Sequence, residues 1–113
     1  AVITADGGWR RGAVLPLKPQ VDEALEGLGG VHTVFVVRRT QNVVAWDDAR
    51  DVWVQDAVRD QPEDCAPEPM DSEDVLFLLY TSGSTGKPKG IVHTTGGYLV
   101  GTYLTSRYVF DLR

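Results

Sequence analysis

The run Val31-His32-Thr33-Val34-Phe35-Val36-Val37 decides the fold class of this chain. Residues 34 to 37 are apolar without alternation, which is typical of a strand covered on both faces in a parallel sheet. β-Branched and aromatic side chains dominate the run, and they favour a strand over a helix. We therefore predict an α/β fold built on parallel strands.

An earlier run, Val2-Ile3-Thr4-Ala5, predicts a second strand that ends at Asp6-Gly7-Gly8. The connection between the two strands is about 25 residues long, which is enough for a crossover helix. It begins with a basic stretch, Trp9-Arg10-Arg11-Gly12, which we expect to be a loop. A helix follows, with its apolar stripe at helical spacing on Val21, Ala24, Leu25 and Leu28. Together these elements predict a right-handed βαβ unit.

Beyond residue 37 the hydrophobic pattern predicts secondary structure less clearly. Trp46-Asp47-Asp48 could begin a short helix with Asp47 as its cap, and helical spacing continues through Trp53, Val54, Ala57 and Val58. Both tryptophans are expected in the core. The stretch from Asp60 to Asp74 contains three prolines and seven acids, so we predict a surface loop there.

The apolar run Val75-Leu76-Phe77-Leu78-Leu79 predicts a third strand, which leads into a glycine-rich loop at residues 80 to 90. Ile91-Val92-His93 is brief and apolar, so a short strand is expected after the loop. Thr94 or Thr95 can then cap a helix. The predicted order is strand, glycine-rich loop, strand, helix.

The loop reads Tyr80-Thr81-Ser82-Gly83-Ser84-Thr85-Gly86-Lys87-Pro88-Lys89-Gly90. Its glycines let the backbone approach a ligand, and its hydroxyls and two lysines can bind phosphate oxygens. A Walker loop is excluded by spacing, because the residue five before Gly86 is Thr81 and Lys87 is followed by Pro88. The composition nonetheless predicts a polyphosphate site.

Composition excludes several classes of function. The 113 residues carry a net charge of −5, which argues against a general nucleic-acid surface. The single cysteine, Cys65, rules out an internal disulfide and fits a reducing, cytoplasmic location. No apolar run approaches the length of a membrane span, so no membrane association is expected. The chain begins at Ala1 and its helical pattern still runs near Arg113, so we expect an internal piece of a larger protein.

The glycine-rich loop resembles the AMP-binding signature of the adenylate-forming enzymes. The likeness narrows toward the AMP-forming acetate–CoA ligases, or acetyl-CoA synthetases, and it extends nearly end to end. The segments that carry it are residues 3 to 12, Pro16-Leu17-Lys18, Val21-Asp22-Glu23-Ala24-Leu25 and His93-Thr94-Thr95-Gly96-Gly97-Tyr98-Leu99-Val100. The resemblance implies that residues 1–113 are part of the large N-terminal AMP-binding domain, with the C-terminal domain outside them.

The resemblance also implies a two-step ligase. Acetate and ATP, with Mg²⁺, would give acetyl-AMP and pyrophosphate, and the thiol of coenzyme A would then displace AMP. By this likeness the ATP phosphates bind Thr81, Ser82, Gly83, Ser84, Thr85, Gly86, Lys87 and Lys89. Of the two lysines, Lys89 is the stronger candidate. No catalytic residue and no metal ligand is expected within these residues.

For coenzyme A, the resemblance implies binding by Arg10, Arg11, Gly12 and Ala13. The family usually has a second cation at the position of Ala13, and Arg11 is the residue that could substitute for it. The expected partners are small-molecule substrates only, and the sequence does not define an oligomeric state.

Three alternatives remain open from the sequence. The chain could belong to a propionate-preferring acyl-CoA synthetase, to a module that binds nucleotide or coenzyme A without chemistry, or, least favoured, to a phosphate-loop NTPase. Without the family, Arg10 and Arg11 would be interpreted as an ordinary solvated pair. His93 has no visible nucleophile or carboxylate partner, so we predict a capping or packing role for it. Asp6 is expected to cap the first strand or to steady the loop that carries Arg10.

Overall fold

A computed structural model describes residues 1–82 and 86–112. The chain divides into two compact units, Ala1–Asp64 and Cys65–Arg113. The division falls inside the exposed stretch from Asp60 to Asp74, which has no helix or strand, as the sequence predicts for a surface loop.

The first unit is built on a three-stranded parallel sheet of β1 (Val2–Ala5), β4 (Val34–Val37) and β5 (Asp51–Trp53), in the order β1-β4-β5. The register pairs Val2 with Val34 and Val34 with Asp51. Strand β4 is central, and Val34 and Val36 are fully buried. The predicted parallel βαβ unit is confirmed, with helix α1 (Lys18–Leu25) in the connection between β1 and β4.

The prediction of a loop at Trp9-Arg10-Arg11-Gly12 is wrong. Strands β2 (Gly7–Arg10) and β3 (Ala13–Pro16) form an antiparallel hairpin there. Arg11 and Gly12 make its two-residue turn with φ of 52° and 79°, and positive φ at both positions is the mark of a type I′ turn. Arginine rarely occupies such a position, so the sequence carried little hairpin signal.

Two helix predictions in this unit need correction. Leu28 lies outside α1 and is exposed, because Gly27 takes a φ of 77° just after the helix ends. No helix begins at Asp47; Trp53 ends strand β5, and helix α2 covers only Val54–Ala57. The tryptophans are half-buried rather than fully so, and Trp46 stacks on Trp53 with ring centroids 4.3 Å apart.

A cluster of four charged side chains connects α1 to the edge of β5. Lys18 Nζ lies 2.7 Å from both Asp22 Oδ1 and Asp51 Oδ2, and Lys18 and Asp51 are buried. Arg50 completes the cluster through Asp22 Oδ1 at 2.6 Å and Asp51 Oδ1 at 2.9 Å. Two cations and two anions therefore balance, with Asp22 and Arg50 partly exposed, and this limits the cost of burying Lys18 and Asp51.

The second unit consists of a β-hairpin and a helix. Strands β6 (Val75–Thr81) and β7 (Lys89–Thr94) are antiparallel, with a register shift between Val75 and Phe77. Helix α3 (Thr95–Tyr108) follows and packs Tyr98 against the stacked rings of Phe77 and His93. The predicted order of strand, loop, strand and helix is confirmed. On α3, the apolar side chains at helical spacing are exposed: Val100, Tyr103, Leu104 and Tyr108.

The first turn of α3 is not capped by a side chain. Thr94 occupies the N-cap position but makes no side-chain capping hydrogen bond, which corrects the predicted role of a threonine cap. Instead, the amides of Thr95 and Gly96 donate to the carbonyl oxygens of Asp74 and Ser72, each at 2.9 Å. A Cβ on Gly96 would lie 2.8 Å from Ser72 Cβ, so glycine permits this close approach.

No described helix is long and apolar enough to cross a membrane.

Candidate phosphate and coenzyme A sites

The glycine-rich loop connects the two strands of the second unit. Its base is the cross-strand pair Thr81 and Lys89, which follows the pair Tyr80 and Gly90. Ser82, Gly86 and Lys87 are described and exposed, and Gly86 takes a φ of 80° that favours glycine. The predicted phosphate ligands Gly83, Ser84 and Thr85 lie outside the described residues.

Lys89 lies in a strand, whereas Lys87 lies in the loop. Lys89 begins strand β7, and its side chain shares one face of the hairpin with Thr81 and with the pair Leu79 and Ile91. Lys87 lies in the loop, two residues before the strand. Pairing in the strand fixes the face of the hairpin from which the Lys89 side chain leaves the backbone, which supports its choice as the stronger phosphate ligand.

The surroundings of the loop differ from those of a Walker loop. A Walker loop joins a strand to the N-terminus of a helix, where helix amides bind the phosphates. Here β7 separates the loop from α3 by six residues, or about 20 Å of strand. The first amides of α3 already donate to Asp74 and Ser72. Phosphate binding at this loop would rely on its own amides, hydroxyls and lysines.

The four predicted coenzyme A ligands are adjacent in the first unit, at the tip of the β2–β3 hairpin. Arg10 and Ala13 face each other across the strands, and Arg11 and Gly12 form the turn between them. All four are exposed. The turn therefore presents two guanidinium groups to solvent beside a small side chain, an arrangement that can accept a phosphate group.

Asp6 is buried at the end of β1, and its carboxylate accepts backbone hydrogen bonds from a loop distant in sequence. The amides of Arg39 and Thr40 donate to Oδ1 at 2.9 Å, that of Gly7 to Oδ1 at 2.7 Å, and that of Asn42 to Oδ2 at 3.1 Å. Burial would raise the pKa of Asp6, but these hydrogen bonds outweigh it and lower the pKa to about 2. Asp6 thus caps β1 and steadies residues 39 to 42, rather than the turn at Arg11.

His93 has the packing role predicted from the sequence. Its ring stacks on Phe77 with centroids 4.6 Å apart and meets the edge of Tyr98 at 5.9 Å. The cluster of Lys18, Asp22, Arg50 and Asp51 was not predicted from the sequence, because its members are up to 33 residues apart. Among the described residues, no group of three or more His, Cys, Asp or Glu side chains is arranged to hold a metal ion.

A family model described as AMP-binding enzyme matches residues 1–112. The chain belongs to the AMP-binding enzyme family. This assignment agrees with the mixed α/β architecture, in which a parallel sheet and a strand–loop–strand unit occur in one chain. It also agrees with the resemblance carried by the glycine-rich loop and its neighbours.

Curated relatives within the AMP-binding enzyme family are similar along nearly the whole chain. An acetyl-coenzyme A synthetase of Gamma-proteobacterium EBAC31A08 is 57% identical over 112 residues, which is 99% of this chain and 18% of the relative. One from Halorhodospira halophila is 59% identical over 110 residues, covering 97% of this chain and 17% of the relative. Acetyl-coenzyme A synthetase 2 of Pseudomonas putida is 57% identical over 112 residues, with shares of 99% and 17%. The chain thus spans less than a fifth of the length of these relatives.

Proposed function

We propose that the protein carrying this chain is an AMP-forming acetate–CoA ligase. Acetate oxygen attacks the α-phosphorus of ATP to give acetyl-AMP and pyrophosphate, and the coenzyme A thiol then attacks the acetyl carbonyl to release AMP. The observation that supports this most is identity of 57–59% to curated acetyl-coenzyme A synthetases over 97–99% of the chain. The residues of the chain itself supply binding and positioning, not bond-making groups.

The glycine-rich loop would hold the β- and γ-phosphates during adenylation. Its hydroxyls and amides, on Thr81, Ser82 and residues 83 to 86, would donate to phosphate oxygens. The Lys89 ammonium would neutralise charge that builds on the departing pyrophosphate, and Lys87 would contribute less. Each charge-assisted hydrogen bond of this kind contributes about 1.5–3 kcal/mol. Their effect is to position ATP and stabilise the leaving group.

The basic hairpin would bind the phosphates at the nucleotide end of coenzyme A. Arg10 is the principal candidate, with Arg11, Gly12 and Ala13 completing the turn. The exposed guanidinium groups at this turn support the role, because arginine binds phosphate with two parallel hydrogen bonds. Ala13 removes a cation found at this position in the family, and Arg11 provides the neighbouring charge.

The remaining parts of the proposal follow from the same assignment. Mg²⁺ would enter with ATP, and acetate, ATP and coenzyme A would be the only partners. Residues 1–113 would form part of the large N-terminal domain of a cytoplasmic enzyme. The acyl pocket, the adenine site and the adenylation lysine of a C-terminal domain would lie in other segments, so these 113 residues alone would be inactive.

Acetate-dependent exchange of labelled pyrophosphate into ATP tests the proposal in the full-length protein. A ligase forms acetyl-AMP reversibly and catalyses exchange, whereas a binding module without chemistry does not. Propionate in place of acetate separates the related short-chain synthetase. Absence of exchange with every short carboxylate would overturn the assignment.

A further inference from the structure

The ring of Tyr80 lies directly over Gly90. The two residues are cross-strand partners in the β6–β7 hairpin. A Cβ built on Gly90 would lie 3.0 Å from Tyr80 Cζ and 3.1 Å from its Cε1, closer than carbon atoms normally approach. The aromatic ring therefore occupies the space above the glycine that any other residue would fill. A Cβ at position 90 would push the ring away from the backbone, so glycine is what allows the ring to lie this close.

This pair is one step from the base of the glycine-rich loop. The next pair along the hairpin is Thr81 and Lys89, after which pairing ends. Glycine within a strand has excess backbone freedom and no side chain to pack, so Gly90 alone would weaken the ladder at this point. An aromatic ring laid across a glycine supplies the missing packing.

The pair Tyr80 and Gly90 thus restrains the backbone on both sides of the loop. The ring itself does not face the phosphate ligands, because Tyr80 and Gly90 point to the opposite face of the hairpin from Thr81 and Lys89. Tyr80 is 67% exposed. Its effect on the loop must be transmitted through the strand backbone.

We propose that Tyr80 is a positioning residue for adenylation, which holds Lys89 and Thr81 in register by covering Gly90. The inference rests on the proposed function, since it assigns the Lys89 ammonium to the leaving pyrophosphate. The flat ring is what the geometry requires, so phenylalanine can replace tyrosine. A smaller side chain leaves Gly90 uncovered and the end of the ladder loose.

The test compares Tyr80→Ala, Tyr80→Phe and the control Leu78→Ala in the full-length protein. Leu78 shares the face of Tyr80 two pairs further from the loop, and it is similarly exposed. Two half-reactions are measured: pyrophosphate exchange at saturating ATP, and thioester formation from supplied acetyl-AMP. Displacement of a positioned group by about 1 Å can lower a rate by about 100-fold.

We expect Tyr80→Ala to slow exchange by about 10- to 100-fold, with thioester formation within about twofold of the unsubstituted protein. Tyr80→Phe and Leu78→Ala should both retain exchange within about twofold. Exchange by Tyr80→Ala at the unsubstituted rate would overturn the inference, and so would equal losses in both half-reactions.

Replacement variants and the activity of the unsubstituted protein separate failure of the Tyr80 role from failure to fold and from failure of the proposed function. If Tyr80→Ala does not fold, Tyr80→Leu and Gly90→Ala take its place. Leucine cannot cover the glycine with a flat face, and the alanine Cβ displaces the ring; each should slow exchange selectively, and unaltered exchange in both would overturn the inference. If the unsubstituted protein lacks exchange with any short carboxylate, the proposed function fails as well. Normal exchange in that protein with no effect at Tyr80 overturns only the positioning role.

Discussion

Lys18 Nζ lies 2.7 Å from Asp51 Oδ2, with both side chains fully removed from solvent. The contact joins the first turn of α1 to the edge strand β5, residues that the sequence separates by 33 positions. Burial would raise the pKa of Asp51, but hydrogen bonds from Arg50 and Lys18 hold it below its ordinary value. The pair thus connects helix α1 directly to the first residue of β5.

Removing one partner of this pair should be strongly destabilising. We expect Lys18→Met to lower the free energy of unfolding by about 3–5 kcal/mol, because it leaves the carboxylates of Asp51 and Asp22 with Arg50 as their single cation in the cluster. Exchange of the β4 amides of Val34 and Val36 with solvent deuterium measures that free energy locally.

The double variant Lys18→Met with Asp51→Asn is the control, since Arg50 and Asp22 remain as a balanced pair. Its cost should fall below the sum of the single costs by about 1–3 kcal/mol. Strict additivity would show that the two residues do not act together.

The contribution of Asp6 should depend on pH. Because the folded pKa is about 2 and the ordinary value is 3.8, the carboxylate stabilises the fold above about pH 4. That stabilisation is lost as the pH falls toward 2. Asp6→Asn should cost about 1.5–3 kcal/mol near pH 6, the range for a hydrogen bond to a charged group.

Thermal unfolding of Asp6→Asn and the unsubstituted protein between pH 2 and 6 checks this prediction. The gap between their midpoints should narrow steadily below pH 4. A gap that stays constant over this range would contradict the role assigned to the charge.

The parts of the fold that the sequence predicts are those with a local apolar pattern. Strands β1, β4 and β6 are continuous β-branched or apolar runs, and their signals need no distant partner. Strand β5 begins with Asp51, a buried charge whose partner Lys18 lies far away in sequence. A hydrophobic pattern does not reveal such a residue, so the sequence predicts helical spacing around this stretch rather than a strand.

The candidate sites also differ in whether a local sequence signal predicts them. The composition of residues 80 to 90 predicts a phosphate loop by itself, because glycines, hydroxyls and lysines occur together. The hairpin at Arg10 and Ala13 was missed, since two glycines and two arginines obscure the strand pattern and Arg11 occupies a turn position that favours glycine or asparagine. The Tyr80 and Gly90 contact required the cross-strand register.

Substitution of the two lysines of the loop should affect the rate of pyrophosphate exchange to different extents. In the full-length protein, we expect Lys89→Ala to slow pyrophosphate exchange by about 10- to 100-fold, since one charge-assisted contact to the leaving group is lost. Thioester formation from supplied acetyl-AMP should change much less. Lys87→Ala is the matched control, with a smaller loss in exchange. Equal losses in both half-reactions for Lys89→Ala would contradict the role of the loop.

Substitutions in the β2–β3 hairpin should change the binding of coenzyme A and leave the adenylation step unchanged. Arg10→Ala should raise the KM for coenzyme A by about 10-fold or more and leave pyrophosphate exchange intact, because a phosphate contact is lost. Ala13→Lys should lower that KM by restoring a cation opposite Arg10. Arg39→Ala, an exposed arginine of the same unit, is the control and should leave the KM unchanged. An unchanged KM in Arg10→Ala would count against this site.

We propose, as the central point, that the protein carrying this chain activates acetate and that this chain binds the phosphates of ATP. The most direct test of this proposal is exchange of labelled pyrophosphate into ATP by the full-length protein, with and without acetate. The account predicts exchange that requires acetate and falls sharply in Lys89→Ala. Exchange that is absent with acetate, propionate and every other short carboxylate would contradict it.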